Sequence, residues 1–148
     1  MSTYCFGRNV PLAFDDAVAR VTEELAKVGF GVLTDIDVRA TMKKKLDVDF
    51  RNYRILGACN PNLAYQAYTA NPDVASLLPC NAVIREIAAG KISVELAAPS
   101  ALMRMLGDAK LATAMADALP PPGVGSGLAR ASRNCWTSSR SNPRPARA

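Results

Sequence analysis

Apolar and polar positions along this chain follow two periods in turn. Phe14, Ala17, Val18, Val21, Leu25 and Val28 recur at three- and four-residue steps, which makes one apolar stripe on a helix. Asp15 and Asp16 sit in its first turn, where the helix dipole favours negative charge. Gly29 fits the left-handed position that closes such a helix. A period of two then takes over: Phe30, Val32, Ile36 and Val38 are expected on one face of a strand, and Asp35 and Asp37 on the other.

The same reasoning places the remaining elements. Residues 3–10 read as a first strand, residues 39–46 as a short helix with Met42 and Leu46 inward, and residues 52–58 as a strand. Asn60-Pro61 has the form of a helix start, Asn as the cap and Pro at the first helical position, and Asn71-Pro72 repeats the device. Residues 80–88 and 91–96 form two strands across the tight Ala89-Gly90 connection, hence an antiparallel hairpin. Pro99 opens a helix ending near Gly107, and Asp108 caps a last one with Leu111, Met115 and Leu119 on one face. Strands in hairpins with interspersed helices predict an α+β domain with a mainly antiparallel sheet.

Composition divides the chain at three prolines, Pro120 to Pro122. Residues 1–119 are one domain, large enough for a core. Residues 120–148 are rich in Pro, Gly, Ser, Ala and Arg without periodicity, and fit a disordered tail or an out-of-frame reading of a GC-rich gene. The net charge of +5 belongs to that tail: Arg130, Arg133, Arg140, Arg144 and Arg147 supply all of the excess, and no acid follows Asp117. A neutral body argues against nucleic-acid binding outside the arginines of the tail, which would contact phosphate non-specifically. Lys43-Lys44-Lys45 reads as a solvated helix face. No apolar run is long enough to span a membrane, and residues 1–11 lack the apolar core of a signal peptide. A cytoplasmic protein with reduced cysteines is expected.

Candidate chemistry concentrates in two matched motifs, Gly57-Ala58-Cys59-Asn60-Pro61 and Leu78-Pro79-Cys80-Asn81. The chain has no His and no phosphate-binding loop. If the strand ending at Cys59 and the strand starting at Cys80 are antiparallel neighbours, both thiols share one sheet edge. Cys59 would precede a helix N-terminus, whose dipole lowers a thiol pKa. Two soft ligands at one cavity suit Cu(I) or another thiophilic metal, or a small ligand beside Asn60 and Asn81. They equally suit a dithiol that cycles to a disulfide. Free cysteines are also among the most buried residue types, and structural thiols with Asn60 as a plain cap explain the same residues. A nucleophilic enzyme is disfavoured, because a Cys nucleophile needs a base and there is no His. A closed zinc site needs more ligands than the pair supplies. Asp35 and Asp37 read as a solvated edge; Cys5 and Cys135-Trp136 share no spacing with the pair; Met103, Met105 and Met115 read as core.

Three motifs in order carry a family resemblance: residues 29–37 (GFGVLTDID), residues 53–61 (YRILGACNP) and residues 77–81 (LLPCN). Residues 14–119 resemble the domain-of-unknown-function 302 family. The resemblance implies a twisted antiparallel sheet with helices on one side, similar to the TATA-binding-protein-like arrangement, and a homodimer. It implies no activity and no cofactor. Family members continue past the prolines with a charged amphipathic helix, where this chain has Gly123 to Leu128 and then the Arg/Ser/Pro run.

Overall fold

The computed structural model describes residues 4–118. Leu119, Cys135, Trp136 and the proline- and arginine-rich stretch 120–148 lie outside the described residues. The elements run β1 (Cys5–Val10), α1 (Phe14–Lys27), β2 (Gly31–Asp37), α2 (Val38–Leu46), β3 (Tyr53–Cys59), α3 (Pro61–Ala70), a 3₁₀ turn (Pro72–Leu77), β4 (Cys80–Ala88), β5 (Lys91–Ala97), α4 (Pro99–Met105) and α5 (Ala109–Ala118). The strands form one five-stranded sheet in the order β1-β5-β4-β3-β2, and every neighbouring pair is antiparallel. The fold is α+β, as the element pattern predicts.

The register defines two faces. Leu56 and Ala58 of β3, Ala82 and Ile84 of β4, Ile92, Val94 and Leu96 of β5 and Val10 of β1 pack with Ala17, Val21 and Leu25 of α1 into the main core. α1 ends as its sequence dictates. Gly29 has φ +83°, the Phe30 N–H donates to the Leu25 carbonyl at 2.9 Å and the Gly29 N–H to the Ala26 carbonyl at 3.1 Å, the paired bonds of a Schellman closure. A second cluster of Ala67, Val74, Met103, Leu111 and Ala112 joins α3, the 3₁₀ turn, α4 and α5, and Leu63 packs against both clusters. On the opposite face Tyr53, Ile55, Val83, Arg85 and Glu95 belong to neither cluster and remain half-exposed.

Three expectations are overturned. Leu46, expected inward, and Met105, expected in the core, are both exposed, at 66% and 71%. The third concerns β2. A bulge between Val32 and Thr34 shifts the register of β2 by one residue. Asp35 and Asp37 therefore share the face of Val32, opposite Leu56 and Arg54, while Ile36 faces Ile55 on the other side and is 47% exposed. A bulge inverts every side chain beyond it, because strand side chains alternate with a period of two. Val38 opens α2 instead of extending the strand, with the Asp37 carboxylate accepting from the Ala40 N–H at 2.8 Å.

Candidate functional site

β3 and β4 pair so that Ala58 lies opposite Cys80, which puts Cys59 and Cys80 one residue apart across the strand pair. Both line one pocket, together with Phe30, Ala58, Leu63 and Leu78, at the end of the sheet where α3 begins. The Asn60 side chain accepts from the backbone N–H groups of Asn62 and Leu63, at 3.1 and 3.3 Å, and so caps α3. Asn60 also sits against the close of α1, since a Cβ on Gly29 would lie 3.1 Å from its Nδ2. Gly57 admits the segment before β4: a Cβ there would meet Pro79 Cγ at 2.8 Å and clash with Thr34 Oγ1. Asn81, opposite Gly57, is exposed and does not line the pocket. The structure thus gathers Cys59, Asn60 and Cys80, and leaves Asn81 outside.

The pocket is apolar, with a cavity volume of about 20 Å³. That is room for one water-sized body. Cys80 is buried, and burial reinforced by the nearby Cys59 pushes its thiol up to about 12. Burial also raises the Cys59 thiol, which reaches toward the Asn60 carbonyl at 3.7 Å. This reverses the expectation of a thiolate at the start of α3. Desolvation disfavours the charged form. Cys5, Cys59 and Cys80 are all free thiols. Among the described residues no group of three or more His, Cys, Asp or Glu side chains is placed to hold a metal ion, so any metal bound here rests on the two sulfurs.

A second pocket escaped the motif reading. It lies between the start of α1, α2 and the start of β3, and has a volume of about 380 Å³. Phe14, Asp15, Arg39, Lys43, Tyr53 and Arg54 line it. Arg54 is held by Asp35 at 3.1 Å and Asp37 at 3.7 Å, and Lys43 by Asp47 at 2.8 Å and Asp49 at 3.2 Å. No sequence signal gathers these residues, because the cleft is assembled from three separate elements.

A five-stranded antiparallel sheet with one helix across its core face and a small pocket at one end defines a compact α+β module. The family model for the domain of unknown function DUF302 matches residues 6–120, and the chain belongs to that family. It is also similar to the crystal structure of an uncharacterized conserved protein DUF302 from Bacillus stearothermophilus. The TM-score is 0.74 and the identity 25%, over 92% of this chain and 98% of that one. No curated protein matches the chain. Among the described residues no helix is long and apolar enough to cross a membrane.

Proposed function

We propose that this protein is a non-enzymatic binding module that holds a single soft metal ion, such as Cu(I), between Cys59 and Cys80. The observation that supports it is that both thiols line a pocket of about 20 Å³, a size that suits one ion better than an organic ligand. The raised thiols do not oppose this reading, since a coordinated metal displaces the thiol proton. They do count against the dithiol–disulfide reading, which needs a thiolate to start the exchange. Titration of the full chain with Cu(I) against a competing chelator tests the proposal. One Cu(I) per chain is expected, with retention lost in the Cys59→Ser, Cys80→Ser double variant. Equal retention by that variant overturns it.

A second reading concerns a partner, and the open sheet face favours it. Tyr53, Ile55 and Val83 line that face beside the Arg85–Glu95 ion pair. Burial opposes ionisation of Glu95, yet hydrogen bonds from Arg85 and Ser93 outweigh it and hold its carboxyl below the usual value. A face with one cation and one anion beside apolar residues is self-complementary under a two-fold axis. We propose a second copy of this chain as its occupant.

A further inference from the structure

We infer that the wide cleft between α1, α2 and β3 is a binding site for a small zwitterion of the amino-acid class. At about 380 Å³ it falls within the range of small-molecule pockets, roughly 300–1,000 Å³. Two of its three cations are already neutralised: Arg54 by Asp35 and Asp37, Lys43 by Asp47 and Asp49. Arg39 is different. Its Nη1 donates to the neutral side-chain oxygen of Asn52 at 2.9 Å, and it has no carboxylate partner among the described residues.

That Asn52 is locked at both ends. Its Nδ2 donates to Glu86 Oε2 at 2.9 Å, and its backbone carbonyl accepts from the Glu86 N–H at 2.9 Å. The guanidinium is therefore pre-oriented by an amide and keeps its remaining donors for another acceptor. Asp15 lines the same cleft and likewise has no hydrogen-bond or ion-pair partner among the described residues. It does not reach Arg39, so a cation and an anion face one cleft without pairing. A ligand with a carboxylate and an ammonium complements both, the carboxylate on the Arg39 fork and the ammonium on Asp15. Phe14 supplies apolar wall for the ligand's side chain. This site is independent of the thiol pair.

The test is an amide NMR titration of the full chain at constant ionic strength with three probes: L-phenylalanine, hydrocinnamate, which lacks the ammonium, and phenethylamine, which lacks the carboxylate. Phenylalanine is expected to give saturable shifts at Phe14, Arg39 and Asn52, and each single-charge analogue to bind more weakly by about tenfold, the effect of one charge-assisted contact. Arg39→Gln should erase the gap between phenylalanine and phenethylamine. Asp15→Asn should erase the gap between phenylalanine and hydrocinnamate. Absence of saturable shifts up to about 10 mM overturns the inference. So does equal binding of all three probes to the unaltered chain, a comparison that stands whether or not a variant folds.

Discussion

At the scale of single residues, the two central thiols show what a sequence reveals and what it hides. That Cys59 and Cys80 line one pocket is legible, because β3 ends and β4 begins at matched motifs in neighbouring strands. Their acidity is not legible, because it depends on burial in a pocket that Phe30, Leu63 and Leu78 line together, and these three come from separate stretches of the chain. The consequence is a pH dependence with a definite sign. Below the ordinary thiol value of 9.0 Cys80 is protonated in both the folded and the unfolded chain and contributes no slope. As pH rises from there toward about 12, the unfolded chain loses the proton and the folded chain keeps it, so stability falls. The loss is a few kcal/mol at most, at ~1.4 kcal/mol per pH unit. Urea denaturation at increasing alkalinity should show this decline, and Cys80→Ala should flatten it. Gly57 is a second position of this kind. Gly57→Ala should lower stability by about 1–3 kcal/mol, measured by the same denaturation at neutral pH, because Pro79 and Thr34 occupy the space a methyl would need.

At the scale of elements, local signals were dependable wherever the chain itself closes the structure. The apolar stripe of α1, its Gly29 stop, the Asn60 and Asn71 caps and the Ala89-Gly90 hairpin all lie where their residues place them. β2 fails because a bulge is a tertiary decision. Nothing in Val32-Leu33-Thr34 announces the extra residue that turns Asp35 and Asp37 toward Arg54. The cleft at Arg39 was missed for the same reason: its residues meet only after α2 and β3 have docked. The Asn60 cap gives a clean element-scale prediction. Asn60→Ala should cost about 1 kcal/mol, read as a lower urea midpoint with unchanged slope. Since the cap also adjoins Gly29 at the end of α1, the same variant should speed labelling of Cys59 by a thiol reagent. An unchanged midpoint would mean that the two backbone N–H groups find water equally well.

At the scale of the whole molecule, the sheet's two faces are covered unequally. One is filled by α1, and the other keeps Tyr53, Ile55 and Val83 half-exposed. If a second copy covers that face, Val83→Arg should convert a dimer to a monomer in sedimentation experiments while leaving the circular dichroism spectrum unchanged. A monomer for the unaltered chain at all concentrations would remove the proposal. The strand order has a different kind of consequence. Of the described strands β1 is made first, yet its neighbour among them is β5, made last, where Cys5 pairs with Ala97 and Val10 with Ile92. The apolar stripe of α1 must wait as well, because Ile92, Val94 and Leu96 of its core also come from β5. During synthesis the amino-terminal segment is thus a nascent chain with no completed partner, and pairing it closes the longest loop in the sheet. Long-range pairing of this kind is slow and leaves apolar surface open meanwhile. The domain is therefore built for release in one step, its first strand sealed by its last.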